Sequence, residues 1–472
     1  MTKQECTIRY ITENYLDFNR LRHDVIADKL QVRCAHNLGE EAKGDEASRQ
    51  EYWREMTKHD INSIVCHAAQ EYDANITSRE VMTALQSDLI PDVHPLREYI
   101  NALPRYTPDQ PDWIDFVARQ VHVRESAQDR PAECRSAQVP VDGRSAAPVV
   151  FHNESTASDA SDLQCSASET IGKEANYSEL YERSKADALW RVCFKKWFVA
   201  MVASWMKDEV VNHQVLVLIG KQGIFKTTWL EHLIPPHLRA YACKLANSND
   251  LNKDERLRIA EFGLISLDEI DSMNNRELNQ LKSVITASDV NERAAYAYTK
   301  ERRVRLASFC ASGNRRDFLT DITGNRRWLP FEVESIQNPF YTTLPYEQMY
   351  AQAWALAQDP MFSYWFDLAE IEVLEQHNQH FRDESNEEQL LLILFDVPAE
   401  GKGEFMTTAQ ISERLVTYGN IKKPMALSRL GMVLGAHGFA KKMIGAKRLR
   451  GWLVYQRDTE EINANKSLYA KC

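Results

Sequence analysis

An apolar run that leads into a glycine loop and then a helix is the feature that most constrains this 472-residue chain. Residues 215–219 are aliphatic, Gly220 and Gly223 follow, and Lys226 with Thr227 opens the next segment. In such a loop, backbone N–H groups wrap phosphate oxygens, the lysine reaches the β- and γ-phosphates, and the hydroxyl binds Mg²⁺. The pattern predicts an α/β fold with a P-loop for ATP and Mg²⁺.

The predicted nucleotide-binding loop departs from the usual pattern at one position. Its residues are Gly220, Lys221, Gln222, Gly223, Ile224, Phe225, Lys226, Thr227 and Thr228. The usual pattern has glycine directly before the lysine, whereas Phe225 stands there. We therefore expect nucleotide to bind and leave the speed of turnover open. Glycines and a lysine at this spacing also occur in ordinary surface loops, which is the alternative.

A second apolar strand, over residues 263–267, ends in two adjacent carboxylates. We expect Asp268 to hold Mg²⁺ together with Thr227, and Glu269 to polarise the attacking water, as phosphoryl transfer requires. The alternative is a buried strand followed by a polar turn. The glycine loop upstream, at a fitting distance, favours the phosphate chemistry.

A third strand is expected over residues 303–312, and it leads to Asn314. An amide at the end of a strand beside the other two can bond the γ-phosphate or the attacking water. Further on, Arg326 and Arg327 follow a glycine turn. The planar fork of arginine stabilises charge on a transferred phosphoryl group, often from a neighbouring subunit. The other interpretation is a surface arginine pair held by Asp321.

Residues 220–333 resemble the virulence-associated E (VapE/VirE) family. Besides the loop, the motifs that carry the resemblance are residues 263–271, 278–283, 291–296, 300–303 and 323–331. Proteins of that family are P-loop ATPases, AAA+-like and similar to superfamily 3 helicases, of phages and other mobile elements. The resemblance implies an ATP-dependent DNA helicase or translocase in replication, assembled as a hexameric ring on single-stranded DNA. It also implies a separate primase as a partner.

The resemblance further assigns roles at a subunit interface. Lys226 neutralises phosphate charge, Asn314 senses the γ-phosphate, and Arg326 or Arg327 reaches the neighbour's nucleotide. Segment 296–303 lies where similar helicases carry a pore hairpin, in which basic side chains grip phosphate and aromatic ones stack on bases. The expected DNA contacts there are Lys300, Arg302 and Arg303. An ordinary charged turn is the alternative.

The C-terminal part is locally basic, although the net charge of the chain is −11. Residues 414–457 contain no acidic side chain. The pattern predicts a capped helix over 407–415, a second helix over 425–437 and a hairpin over 439–455, which is typical of a winged-helix-like domain. The expected contacts to DNA phosphates are Lys441, Lys442, Lys447, Arg448 and Arg450. Docking of a protein is the alternative role.

Composition along the chain predicts six segments. They are a small, mostly helical N-terminal domain (1–123), a disordered Ser/Ala/Asp-rich linker or insertion (124–180), the ATPase domain (186–340), a helical connection (341–395), the winged-helix-like domain (396–458) and a tail (459–472). The nine cysteines include no C-x-x-C pair, so we expect free thiols. With no membrane-spanning run and no signal peptide, we expect a cytoplasmic protein.

Two other functions fit the same residues. One is a nucleotide-switched DNA-binding regulator with little unwinding activity, which Phe225 favours somewhat. The other is a signalling NTPase that binds only proteins, whose hydrolysis DNA would not stimulate. The ATPase rate with and without single-stranded DNA distinguishes these possibilities most directly.

Overall fold

The computed structural model describes residues 2–37, 49–124, 186–245, 258–292, 301–319, 325–382, 385–399, 403–422, 424–444 and 448–463. Several predictions made above fall elsewhere. The linker from residue 125 onward, Lys300, Asp321, Lys447 and the tail beyond residue 463 lie outside the described residues.

The N-terminal part combines helices with a four-stranded sheet. Its elements are α1 (Lys3–Ile11), a π-helical turn (Thr12–Leu16), β1 (Leu21–Asp24), β2 (Lys29–Asn37), β3 (Arg49–Glu55), α2 (Lys58–Glu71), α3 (Ser78–Leu85) and β4 (Asp92–Val93). Each helix begins with a capping box, on Thr2, Thr57 and Thr77. The strand order is β3-β2-β1-β4. The sequence pattern predicts a small, mostly helical region here; the four-stranded sheet was not predicted.

Residues 95–123 pack with the centre of the molecule. They form α4 (Pro95–Ala102), α5 (Trp113–Ala118) and β5 (Val121–Val123). Strand β5 pairs antiparallel with a strand of the central sheet. Leu96, Ile114 and Val121 belong to the apolar cluster of that sheet. Residues 95–123, on the N-terminal side of the division predicted at residue 123, thus pack against the central sheet.

A helix rich in tryptophan supports the central sheet. Helix α6 (Ala186–Met206) buries Trp190, Trp197 and Trp205 completely. The indole N–H of Trp197 donates to the Phe309 carbonyl at 3.1 Å, and that of Trp205 to the Gly263 carbonyl at 3.1 Å. These tryptophans are core residues bonded to the sheet backbone, which agrees with their helical spacing in the sequence.

The part of the chain around the central sheet contains β6 (Val215–Ile219), α7 (Lys226–His232), a 3₁₀ turn (Pro236–Tyr241), β7 (Ala242–Leu245), β8 (Leu264–Leu267), a 3₁₀ turn (Ile270–Ser272), α8 (Asn275–Thr286), β9 (Asp289–Glu292), β10 (Glu301–Val304), β11 (Ser308–Gly313) and β12 (Trp328–Ile336). The central sheet itself has six strands in the order β5-β12-β6-β11-β8-β7. All strands from β12 to β7 run parallel. Strands β6 and β8 are buried along their whole length, which explains why each is a continuous apolar run.

The third predicted strand, over residues 303–312, is two strands in the structure. Strand β10 pairs with β9 in a separate two-stranded sheet, and β11 enters the central sheet. Arg305 lies between them, fully buried. Its guanidinium donates to the carbonyls of Ala307 (3.0 Å), Asn212 (2.9 Å) and Ile285. This charged side chain needs those carbonyls, so the chain leaves the strand path at Arg305.

The C-terminal part forms a module with its own apolar cluster. After α9 (Tyr346–Gln358), α10 (Leu368–Asn378) and a 3₁₀ turn (Gln379–Phe381) come α11 (Asn386–Leu394), β13 (Phe395–Asp396), β14 (Glu404–Met406), α12 (Thr408–Gly419), α13 (Leu427–Ala436), β15 (Lys441–Ile444) and β16 (Leu449–Gln456). Both predicted helices and the hairpin are present. Leu391 and Leu394 of α11 share the cluster with Val433 and Trp452, so the module's packing begins before residue 396.

Contacts of Phe381 and Arg382 connect this module to the segment that follows β11. The backbone N–H groups of Phe318 (3.2 Å) and Leu319 (3.0 Å), just beyond β11, donate to the Phe381 carbonyl. Next in the chain, Arg382 donates to the Glu388 carboxylate of α11 at 2.6 Å, and both side chains are buried. A ring nitrogen of His437, just after α13, lies 2.7 Å from the same carboxylate.

Candidate phosphate-binding site

Four neighbouring parallel strands end at one edge of the central sheet, and each brings a polar side chain there. Ile219 of β6 lies opposite Gly313 of β11, and Leu267 of β8 lies opposite Ala311 of β11 and Leu245 of β7. Carboxyl ends of parallel strands form the usual ligand crevice of an open α/β sheet. We call this the loop edge. It holds the glycine loop, the carboxylates after β8 and Asn314 after β11.

The backbone of the loop explains which residues must be glycine. A Cβ on Gly220 would lie 2.6 Å from the Val333 carbonyl oxygen, so only glycine lets the loop pass β12. Gly223 (φ +86°) and Phe225 (φ +68°) both adopt the left-handed conformation. Phe225 thus takes the backbone shape that glycine adopts without strain. Residues 221–223 are exposed, and helix α7 begins at Lys226.

The ammonium group of Lys226 is held under the loop. Its Nζ donates to the carbonyls of Gly220 (2.7 Å) and Lys221 (2.7 Å) and, at 3.3 Å, to Oδ1 of Asn314. Burial lowers the pKa of Lys226, and the nearby carboxylates of Asp271 and Asp268 oppose that shift. These three partners are neutral oxygens, so the charge of Lys226 remains available to an anion at the loop.

Three side chains from three elements meet at Asp268. Its Oδ1 accepts from Ser312 (2.7 Å) and Thr227 (3.2 Å), whose hydroxyls lie 2.9 Å apart, and Lys244 Nζ lies 2.8 Å from Oδ2. Burial alone would raise the pKa of Asp268, but the hydrogen bonds from Lys244, Ser312 and Thr227 lower it. The hydrogen bond to Asp268 likewise raises the pKa of Lys244. The carboxylate is therefore ionised at neutral pH.

The residues around Asp268 fit Mg²⁺. This ion takes oxygen ligands, keeps several waters, and is usually bound by one or two carboxylates plus substrate phosphates. The hydroxyl of Thr227 and the carboxylate of Asp268 supply such oxygens beside the loop. Among the described residues no group of three or more His, Cys, Asp or Glu side chains could hold a metal by itself. An ion held by Thr227 and Asp268 could take its remaining ligands from water and from nucleotide phosphates.

The turn after Asp268 carries two further carboxylates: Glu269 faces solvent, and Asp271 bonds to the backbone that follows β11. Glu269 is exposed and has φ +53°. Asp271 accepts the backbone N–H groups of Asn314 (3.2 Å) and Arg315 (3.1 Å). A Cβ on Gly313 would lie 2.8 Å from Asp271 Oδ1, so the glycine admits this contact. Asp271 thereby fixes the position of Asn314 relative to the carboxylate turn.

Sequence reasoning assigned no role to three residues of the loop edge. They are Lys244, Ser312 and Asp271. Each lies at the carboxyl end of a central strand or in the turn just after it, which is the signal that could have identified them. Strand β7, which carries Lys244, was not predicted.

The structure places the arginine pair at the opposite edge of the sheet. The Arg327 carbonyl accepts the N–H of Val215, the first residue of β6, whereas the loop follows Ile219. At about 3.3 Å per residue these two ends of β6 are roughly 13 Å apart. Arg326 and Arg327 line a cavity of about 310 Å³ beside His213 and Trp365. They are not brought together with the loop of their own chain.

The predicted DNA contacts near the pore segment differ in exposure. Arg302 is 76% exposed and lies 2.8 Å from Asp289. Arg303 is only 18% exposed, with Asp28 at 2.8 Å and Glu261 at 3.7 Å. The Arg303 side chain thus fastens β10 to the N-terminal part, whereas Arg302 faces solvent.

The predicted DNA contacts of the C-terminal module lie on its hairpin of β15 and β16, which we call the basic hairpin. Lys441, Lys442, Arg448 and Arg450 are all exposed. The Lys441 ammonium lies 5.1 Å from the centre of the Trp452 ring. The hairpin therefore presents four cations on one two-stranded element.

Comparisons with known proteins give one family match. Residues 171–383 match the model of the virulence-associated protein E-like domain. That range includes the loop, the carboxylate turn, Asn314 and the arginine pair, and it supports the resemblance found in the sequence. The search of curated proteins finds no match.

Similar solved structures include two of the NrS-1 C-terminal region. The apo structure of its residues 305–718 is 11% identical, with a TM-score of 0.39, and the alignment covers 96% of this chain and 100% of that one. The A form apo structure of the same region is 10% identical, with a TM-score of 0.38, covering 96% and 99%. Separately, no helix among the described residues is long and apolar enough to cross a membrane.

Proposed function

We propose that this chain is a P-loop ATPase, AAA+-like and of the superfamily 3 helicase type, that acts on DNA during replication of a phage or other mobile element. One observation carries the proposal. Thr227, Asp268 and Ser312 form one hydrogen-bonded group beside Lys226 and its loop, although they come from three separate elements. A chance glycine loop on a surface has no reason to meet a half-buried carboxylate in this way.

Each residue at the loop edge has a task in ATP hydrolysis. The loop's backbone N–H groups and Lys226 hold the phosphates, and Asn314 reaches the γ-phosphate or the attacking water from the neighbouring strand. The carboxylate of Glu269 takes a proton from that water as its oxygen bonds to phosphorus and ADP leaves. When bound, Mg²⁺ would supply positive charge against the phosphate oxygens, held by Thr227 and Asp268.

The location of the arginine pair supports a ring. Arg326 and Arg327 lie at the edge opposite to their own loop, so they cannot reach the nucleotide held there. In a head-to-tail ring that edge can face the loop of the next subunit, where arginine would stabilise the transferred phosphoryl group. We therefore propose a homo-oligomer, expected to be hexameric, with ATP between subunits.

The C-terminal module supports the DNA part of the proposal. The order of α11, β14, α12, α13 and the hairpin of β15 and β16 resembles that of a winged helix, in which the basic hairpin would be the wing. Exposed lysines and arginines attract nucleic-acid phosphates by releasing bound counterions. A separate primase would supply the primers for such a replication protein.

A nucleotide-switched DNA-binding regulator is the second candidate. The observation in its favour is Phe225, a bulky residue that adopts the left-handed backbone conformation directly before Lys226. Binding without rapid turnover would suit a switch. Strand displacement on forked DNA, with and without ATP, distinguishes the two functions, because only a helicase separates the strands.

Two variants at the loop edge test the ATPase assignment. Lys226→Ala should abolish both ATP binding and hydrolysis, because its charge is used in the ground state and the transition state. Glu269→Gln should bind ATP normally but hydrolyse it about 10²- to 10⁴-fold more slowly, since only the base is lost. Binding is measured by calorimetry and hydrolysis by phosphate release, with and without single-stranded DNA. A Glu269→Gln protein with wild-type turnover would show that the carboxylate assignment is wrong.

A further inference from the structure

An exposed aromatic pair follows β12 close to the loop. Phe340 is 69% exposed and Tyr341 is 89% exposed, whereas aromatic side chains of this size usually bury most of their surface. Strand β12 is the neighbour of β6, and both run toward the loop edge. The turn that carries this pair therefore lies on the same side of the sheet as the phosphate loop.

The ring of Phe340 is held in place by two other rings. Its centroid lies 6.4 Å from that of Phe225, with the planes at 79°, and 5.6 Å from that of His232, with the planes at 84°. Edge-to-face contacts of this kind are favourable and leave a face of the ring uncovered. The turn itself is fixed by Asn338, whose side-chain oxygen accepts the Phe340 N–H at 3.0 Å and whose carbonyl accepts the Tyr341 N–H at 3.1 Å.

Phe225 gives this arrangement a connection to the phosphates. It directly precedes Lys226 and adopts a backbone conformation that glycine would adopt without strain. Phenylalanine at this position adds nothing to phosphate binding, which uses backbone N–H groups. What it adds is a ring, and that ring contacts Phe340. The aromatic cluster thus begins one residue away from the phosphate-holding lysine.

We propose that Phe340, backed by Phe225 and His232, is a stacking platform for the base of the bound nucleotide. The proposal rests on the proposed function, because it needs phosphates held by the loop. Every base has a π face that can stack on an aromatic ring, and a purine has the larger one. The platform therefore favours a purine nucleoside triphosphate and supplies the contact with the base, which the phosphate loop does not touch.

The test separates recognition of the base from recognition of the phosphates. Dissociation constants for ATP and for inorganic tripolyphosphate, both with Mg²⁺, are measured by calorimetry on the wild type and on three variants. Phe340→Ala should weaken ATP binding about 10- to 100-fold, the range for losing one stacked base. It should leave tripolyphosphate binding within about 2-fold. Phe340→Trp should restore ATP binding, and Met361→Ala, which removes a 91% exposed apolar side chain elsewhere, should change neither ligand.

Three results would overturn the platform. Unchanged ATP affinity in Phe340→Ala would show that the base does not stack there. Equal loss of both ligands would show that Phe340 only supports the loop. If Phe340→Ala no longer assembles in sedimentation velocity but keeps its ATP affinity, the Phe340 side chain is a contact between subunits and not a platform for the base. If the wild type binds neither ligand, the ATPase proposal itself fails, and the platform fails with it.

Discussion

The loop edge and the basic hairpin both carry charged side chains that we propose bind phosphates, but the two regions hold those side chains differently. At the loop edge, Lys226 and Asp268 are fixed by partners 2.7–3.3 Å away on the loop, on α7 and at the end of β11. On the basic hairpin all four residues of β15 are exposed, and Lys441 lies against the Trp452 ring. Fixed groups in a partly buried site stabilise charge that develops during a reaction. Exposed charged side chains attract an oppositely charged ligand through their combined charge, and salt screens that attraction. The difference suits the loop edge to the proposed ATP hydrolysis and the basic hairpin to the proposed attachment of DNA.

The largest effect that would test this separation concerns the arginines at the far edge of the sheet. In the double variant Arg326→Ala, Arg327→Ala, hydrolysis should fall about 10³- to 10⁵-fold, the range for an arginine supplied in trans. ATP affinity should stay within a few-fold, because the loop of the same chain is untouched. Phosphate release and calorimetry measure the two quantities.

Mixing sharpens that experiment. Combined before assembly with Lys226→Ala, the double variant should regain part of its activity, because some interfaces then join an intact loop to intact arginines. No recovery after verified co-assembly would mean that the arginines do not act across subunits. The loop edge would then have to complete its chemistry alone.

The second prediction removes the exposed charges. Replacing Lys441, Lys442, Arg448 and Arg450 by Gln should weaken single-stranded DNA binding about 10- to 100-fold and reduce the salt slope of log K by about 2 to 3. ATPase activity without DNA should not change. The matched control carries four substitutions by Gln at exposed basic positions of the N-terminal half, namely Lys3, Lys58, Arg79 and Arg105. Equal DNA affinity in both variants would leave protein docking as the role of the hairpin.

The third prediction concerns Lys244, whose ammonium pairs with the oxygen of Asp268 that Thr227 and Ser312 do not use. Lys244→Met should lower the Mg²⁺ concentration needed for half-maximal nucleotide binding about 3- to 10-fold, because a competing cation is removed. A Mg²⁺ titration monitored by nucleotide fluorescence measures it. Lys195→Met, which breaks the pair with Asp112 elsewhere, is the control. An unchanged or higher Mg²⁺ requirement would show that Lys244 supports the site instead.

The smallest expected effect concerns stability. Replacing glycine by alanine should change the free energy of unfolding in opposite directions at the loop edge and in helix α13 of the C-terminal module. Gly220→Ala should destabilise the protein by about 1 to 3 kcal/mol, since its Cβ would meet a backbone oxygen at 2.6 Å. Gly431→Ala, inside α13, should stabilise by about 0.5 to 1 kcal/mol, because its nearest neighbour is Trp452 at 3.8 Å. Thermal unfolding measures both. A stabilised Gly220→Ala protein would show that the loop is not closely packed on β12.

Sequence reasoning was strongest where a motif is contiguous. The strand before Gly220 and the one before Asp268 are buried on both faces and therefore stand out as apolar runs. The approach of Lys244 to Asp268, or of β5 to β12, depends on the packing of distant segments and leaves no local pattern. Strands β2 and β3 were not predicted because they mix polar and apolar residues, as strands of antiparallel sheets with one solvent-exposed face do. Arg305, a charge inside an apolar run, was the available sign that the third strand divides.

The contacts at Phe381 and Arg382 have a mechanical consequence. The segment after Asn314 is bonded to Phe381, and the next residue holds α11 through a buried pair with Glu388. Removing one partner of such a buried pair typically costs about 3 to 5 kcal/mol of stability. Bending of the chain between Phe381 and α11 would break this pair and is therefore unfavourable. If the end of β11 shifts when the γ-phosphate departs, the module must travel with it as a lever arm. The basic hairpin at the far end of that lever would sweep through a larger path than the shift that started it.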